Sequence, residues 1–188
     1  MRAAANPTNP MNSTPDNLDS DRTERSARGR RAWSVVIERG VIGGRIPRKL
    51  ITNVLMKVGQ DEKAHGELRV IVVDNRRMRQ LNRRFRDKNR ATDVLAFPAG
   101  PVFPSPGGRG LLGEVYCNID HAREWTRAHG GSPSAELARL AVHGCLHLLG
   151  FRHRTSRERR TMMSRENRYL ANAGLIALRV PGGDDHVG

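Results

Sequence analysis

The chain has 188 residues, 33 Lys and Arg against 19 Asp and Glu, and a formal net charge of +14. That length is one domain's worth with a single sizeable core; no apolar run reaches membrane-span length and no basic-then-apolar start reads as a secretory signal, so a cytoplasmic protein without a membrane partner is expected. The charge favours a polyanionic partner, and two cysteines, Cys117 and Cys145, are too few for a disulfide framework and read as buried free thiols.

Residues 1–31 are rich in Asn, Pro, Ser, Thr, Asp and Arg with hardly an apolar residue, and are expected to be a disordered tail because they cannot repay the entropy of ordering. Residues 32–178 are then the folded domain and 179–188 a flexible tail whose His186 is idle. Trp33 to Ile37 predicts a strand, and Ile46 to Val58 a helix opened by Pro47 and closed by Gly59. Glu67 to Val73 alternates into a β-branched run, a strand. Asp74 caps a helix over 75–86 that offers Met78, Leu81 and Phe85 to the core. From Arg76 to Arg90 eight positive residues meet one acid, which makes Arg83, Arg84 and Lys88 candidates for a surface that tracks phosphates.

Asp93 to Phe97 predicts a short strand ended by Pro98, 99–110 a turn-rich loop, and Leu111 to Cys117 another strand. Asn118 caps a helix to about Ala128, and Gly130-Gly131 stops it. Ser132-Pro133 opens the next helix. Past His153 a last helix offers Met162, Met163, Tyr169 and Leu170 for packing, with seven arginines between 152 and 168, and Gly174 ends it. The fold expected is α+β: a single domain with a small mixed sheet of about four strands and about five helices around it.

The helix over 137–149 (LARLAVHGCLHLL) is apolar on nearly every side and so reads as buried against the sheet. Within it His143 and His147 lie four residues apart, on one face and one turn along. Gly150 supplies the left-handed stop that lets the chain reverse and bring back His153. Three neutral imidazoles are a zinc-type donor set with a fourth position left for water, whereas imidazoles buried without a partner would cost about 1–3 kcal/mol each. The spacing points to zinc hydrolases such as the metzincin proteases, but Gly144 stands where those enzymes carry a glutamate base. A glycine there implies close passage of a strand or substrate, or simple helix packing. Cys145, two residues from His143, points away from the metal face.

HGCLHLLGFRH, over residues 143–153, resembles the metal-binding signature of the YbeY family of bacterial endoribonucleases, His-Gly-x-Leu-His-Leu-x-Gly-Tyr-Asp-His. LNRRFRDKNRATDVLAFP, from Leu81 to Pro98, is similar to that family's LNxxYRxKDxPTDVLSFP, and LLGEV around Glu114 to its LGDI. The resemblance implies a single-strand-specific, metal-dependent endoribonuclease of ribosomal RNA processing, with a part in maturation of the 3′ end of 16S ribosomal RNA and in ribosome biogenesis. It implies one zinc ion held by His143, His147 and His153, RNA and ribosomal particles as partners, and Arg86 as the basic residue facing the RNA phosphate. The departures are Arg152 and Glu114 for Asp, Asn89 for Asp, Ala91 for Pro and Ala96 for Ser. Arg152 removes a carboxylate beside His153 that could have oriented an imidazole, leaving Asp93 and Glu114 as candidates for that duty. Zinc on three histidines supplies a nucleophile near neutral pH without a strong protein base. Two other readings use the same features: a non-catalytic RNA-binding assembly factor with a structural zinc, closed by Cys117 or a carboxylate as fourth ligand, and a zinc amidohydrolase with a carboxylate beside the metal.

Overall fold

A computed structural model describes residues 33–40, 45–100 and 110–175. The expected tails at 1–31 and 179–188, His186, and most of the loop 99–110 lie outside the described residues. In chain order the elements are β1 (Trp33–Arg39), α1 (Arg48–Asp61), β2 (Gly66–Val73), α2 (Asn75–Arg86), β3 (Val94–Pro98), β4 (Leu111–Asn118), α3 (Ile119–His129), α4 (Pro133–Leu148) and α5 (Ser156–Asn172).

The strands form one mixed sheet in the order β1-β2-β4-β3, parallel except for β3, which runs antiparallel on the β4 edge. Parallel β1 and β2 need a crossover, and α1 supplies it. β2 is buried on both faces, as its near-continuous apolar run requires: Leu68, Val70 and Val72 enter the main core with Val115 and Cys117, while Ile71 and Val73 turn to the other face with Met78 and Leu81 of α2. The sheet therefore lies between α2 on one side and a helical layer centred on α4 on the other. Around α4 pack α1, α3, α5 and the strands β3 and β4. That is why nine of its residues, Glu136 to Ala138, Leu140 to Val142 and Gly144 to Leu146, are buried.

Gly144 answers to a strand. A Cβ there would stand 2.4 Å from Val115 Cγ1, so the interior glycine, which costs a helix about 1 kcal/mol against alanine, is what lets α4 lie directly on β4. Polar caps fix the starts of α2, α4 and α5: Asp74 accepts from the Arg77 amide, Ser132 from the Ala135 amide, and Thr155 forms a reciprocal box with Glu158. Asn118 is fully buried and does more than cap α3. Its Oδ1 accepts from the amides of Asp120 and His121, while its Nδ2 donates to Asn75 Oδ1 and the Thr92 carbonyl, tying the starts of α2, β3 and α3 together.

Three local expectations are corrected. Gly59 does not close α1, which runs on to Asp61; Trp33 lies against Gly59 and donates its indole N–H to the Leu55 carbonyl. Phe85 is not a core residue but 55% exposed, and Met163 is 49% exposed. The last helix packs instead through Met162, Glu166, Tyr169 and Leu170.

Candidate metal centre

His143 and His147 leave the same face of α4 at its C-terminal end. There the Phe151 amide returns to the Leu146 carbonyl at 3.0 Å and Gly150 takes φ 94°, the left-handed conformation in which a helix ends without a Cβ penalty. The reversal brings His153 back. One nitrogen from each of the three imidazoles lies within 4.8 Å of the others, and the ring centroids are 4.7, 4.9 and 5.6 Å apart. Each ring is partly buried.

The hydrogen bonds fix the tautomers. His143 Nδ1 lies 3.4 Å from Glu166 Oε2, and His147 Nδ1 lies 3.1 Å from the Phe151 carbonyl. An ionised carboxylate and a carbonyl only accept, so both Nδ1 atoms carry the proton, and in the neutral rings that ligate a metal both Nε2 atoms carry lone pairs. Those Nε2 atoms face each other at 3.1 Å, and His153 Nε2 is buried without a hydrogen-bond partner. Lone pairs converging without a proton between them repel unless a cation joins them, so the donor set fits a metal.

Burial, more than charge, disfavours protonation of His147 and His153. Burial, then the neighbouring His143 and His153, push His147 down to about 4; burial and His143 lower His153. Burial would raise the Glu166 carboxyl, but the hydrogen bond from His143 and the charge and hydrogen bond of the Arg139 guanidinium outweigh it and hold it below its ordinary range. Arg139 donates to Glu166 at 3.1 Å and grips Glu136 with two nitrogens at 2.7 and 2.9 Å. Burial opposes its charge, yet the Glu136 bond and the two carboxylates keep Arg139 protonated. A chain Glu136–Arg139–Glu166–His143 thus runs from α4 through α5 into the site.

Sequence reasoning missed Glu166. The readable signal is its place in the stripe Met162, Glu166, Tyr169, Leu170, where a lone acid on the packing face requires a partner. The two carboxylates expected to orient an imidazole are placed elsewhere. Asp93 Oδ1 accepts from the Val94 amide and the Thr92 hydroxyl at the start of β3. Glu114 accepts from the Tyr116 hydroxyl, and strand alternation puts it on the face opposite Val115 and α4. Arg152 donates to the His147 and Phe151 carbonyls at 2.8 and 3.0 Å, steadying the acceptor that orients His147.

Arg86 is the last residue of α2, followed by Asp87 in a left-handed cap. No hydrogen bond joins Arg86 to the histidines, and among the described residues the side chains of Arg83, Arg84, Arg86 and Lys88 make no hydrogen bond or ion pair. Cys117 and Cys145 are both buried in the core, their thiols pushed up chiefly by burial. Among the described residues no Cys, Asp or Glu completes the histidine cluster as a fourth ligand.

A family model described as Endoribonuclease YbeY matches residues 44–174. Curated proteins named Endoribonuclease YbeY are similar to the chain. One from Anaeromyxobacter dehalogenans is 37% identical over 134 residues, 71% of this chain and 68% of the relative. One from Bacillus cereus is 37% identical over 139 residues, 67% of this chain and 86% of the relative. One from Myxococcus xanthus is 39% identical over 118 residues, 63% of this chain, and the match spans only 40% of that longer relative. A solution structure of a Thermotoga maritima protein superposes with a TM-score of 0.51 at 26% identity, covering 74% of this chain and 88% of that one.

Proposed function

The chain belongs to the YbeY family, and from that premise we propose that it is a single-strand-specific endoribonuclease of ribosomal RNA processing, with a zinc ion held by His143, His147 and His153. The observation that carries this reading is the convergence of three imidazole nitrogens, two of them fixed as lone-pair donors, with no fourth protein ligand among the described residues. A structural zinc would close its shell with protein atoms, whereas a catalytic one keeps a position open. That no Cys or carboxylate among the described residues joins the cluster favours the second.

When bound, a divalent cation at this position supplies Lewis-acid stabilisation of charge on a phosphodiester and its attacking oxygen. The chain's own groups do the rest. Glu166 and the Phe151 carbonyl hold His143 and His147 with their Nε2 atoms inward, and Arg139 keeps Glu166 ionised. Arg86, with no carboxylate partner among the described residues, is the candidate for holding the phosphate through two parallel N–H bonds. Arg83, Arg84 and Lys88 add the positive field that gathers the RNA backbone. β3 is the edge strand touched by α4 on one face of the sheet and by Phe85 of α2 on the other, so an RNA strand crossing that edge meets both the histidines and the basic turn.

Residues 32–178 are the catalytic unit in this reading and 1–31 and 179–188 are tails, acting in the cytoplasm on ribosomal particles. No described helix is long and apolar enough to cross a membrane. The test is to offer the metal-loaded protein a single-stranded ribosomal RNA fragment and the same fragment in a duplex. Cleavage of the first and sparing of the second is expected; a metal-loaded protein that cuts neither contradicts the reading.

A further inference from the structure

Phe85 lies in the most basic stretch of the chain, yet more than half of it is exposed. The ring is held nonetheless. Its centroid is 4.9 Å from that of Phe97, tilted by 54°, and Phe97 in turn meets Tyr116 edge-on at 5.8 Å, so three aromatic rings lead from the sheet interior to the surface. The Arg84 guanidinium stands 5.3 Å from the Phe85 centroid. Of the three large apolar side chains exposed among the described residues, Val36, Phe85 and Met163, only Phe85 is an aromatic ring braced from below and flanked by cations without acidic partners.

We propose that Phe85 is a stacking platform for an unpaired RNA base, with Arg84 holding an adjoining phosphate. The proposal rests on the RNA reading above and deepens it. Exposing an aromatic ring to water is unfavourable unless a partner covers it, and the surrounding Arg83, Arg84, Arg86 and Lys88 select a polyanion as that partner. A π-face stacks on any base, but only a base released from its duplex partner can reach it. Such a platform would therefore contribute directly to preference for single strands.

Its position relative to the metal is also suited to the task. Phe97, the support beneath Phe85, turns its carbonyl toward Gly113, where an added Cβ would come within 2.5 Å of that oxygen and 3.0 Å of Leu148. Leu148 directly follows His147. The backbone of β3 thus passes the end of the metal helix while the ring pair lies on the other face of the sheet, so a strand crossing that edge could rest a base on Phe85 and continue toward the histidines, making Phe85 a positioning residue.

The experiment compares wild type with Phe85→Leu and Phe85→Trp on a single-stranded oligoribonucleotide carrying 2-aminopurine and on its duplex. Leucine keeps the apolar contact with Phe97 but has no π-face, and thermal melting verifies that the variants fold. The Leu variant is expected to bind the single strand roughly 5- to 150-fold more weakly, the range for losing one base–aromatic stack. Its salt dependence and duplex affinity should stay as in wild type, because no charge has changed. The Trp variant should retain affinity, and its indole fluorescence should be quenched as the strand binds. Wild-type affinity in Phe85→Leu overturns the platform while leaving the endoribonuclease reading intact, and makes the ring a candidate contact for a protein instead. Failure of wild type to bind single-stranded RNA at all removes both.

Discussion

Arginines serve opposite ends in two regions of this molecule. On α4 and α5 they are paired: Arg139 with Glu136 and Glu166, and Arg165 and Arg168 with Glu62 at the end of α1. Along the last turn of α2 and beyond it, Arg83, Arg84, Arg86 and Lys88 have no such partners among the described residues. The difference separates charge that builds from charge that binds. A cation enclosed by carboxylates is spent on orienting its neighbours, here Glu166 and through it His143, while a cation without an acid projects its field at a polyanion. The basic run at 152–168 is therefore less of an RNA surface than its composition suggests, since Arg152 is also committed, to the carbonyls at the end of α4.

The sharpest break of that comparison removes the centre that the paired region serves. His147→Ala should reduce zinc by elemental analysis from about one per chain to a small fraction of that and abolish RNA cleavage, while RNA affinity persists because the α2 cations remain. On the unpaired side Arg86→Lys keeps the charge but not the planar two-pronged donor. Cleavage should slow by about 10- to 1,000-fold with zinc content unchanged, the range for one lost transition-state donor, and Arg83→Lys should be mild. Equal wild-type rates in both variants would reduce Arg86 to one more surface charge.

Glu166→Gln tests the paired side without changing its volume. Zinc affinity, read by competition with a chelating dye, should fall about 10- to 100-fold, as for other groups that orient a ligating histidine. Urea unfolding should show a loss of about 1–3 kcal/mol as Arg139 loses one of its two carboxylates. Retained zinc affinity would show that the Phe151 carbonyl and the reversal at Gly150 suffice to aim the rings.

A smaller effect is expected from pH on the metal-free protein. His147 is pushed down to about 4 when folded, against an ordinary value of 6.5. Between those values the unfolded chain binds a proton that the folded chain refuses, so stability falls as pH drops from about 6.5 toward 4 and levels off below that. His153, lowered for the same reason, adds to the slope. Chemical unfolding across the window checks the sign, and with zinc bound the same protonation should also weaken the metal.

Much of this was readable from the sequence because its signals are local. The interval from His143 to His147, the glycine stop at Gly150, the caps Asp74, Asn118 and Ser132, and the β-branched run of β2 each act within a few residues, and the structure places all of them as expected. What escaped depends on which elements meet. Nothing in the neighbourhood of Glu166 says that α5 will lay it against Arg139 and His143 of α4. Phe85 shares helical spacing with Met78 and Leu81, which predicts a core residue, but β3 is a short edge strand and Phe97 is the ring contact it offers the last turn of α2. Gly59 reads as a helix stop until the Trp33 indole is found lying on it. In each case a long-range contact decides between local alternatives of similar propensity.

The central claim is that phosphodiester cleavage depends on a metal gathered by His143, His147 and His153. Stripping the wild-type protein with a chelator, verifying its loss of zinc and its retained fold, and then titrating zinc back while following cleavage of a single-stranded ribosomal RNA fragment tests it directly. The account predicts no cleavage by the stripped protein and full recovery at about one zinc per chain, with no recovery in His147→Ala. Undiminished cleavage by protein shown to be free of metal would contradict it.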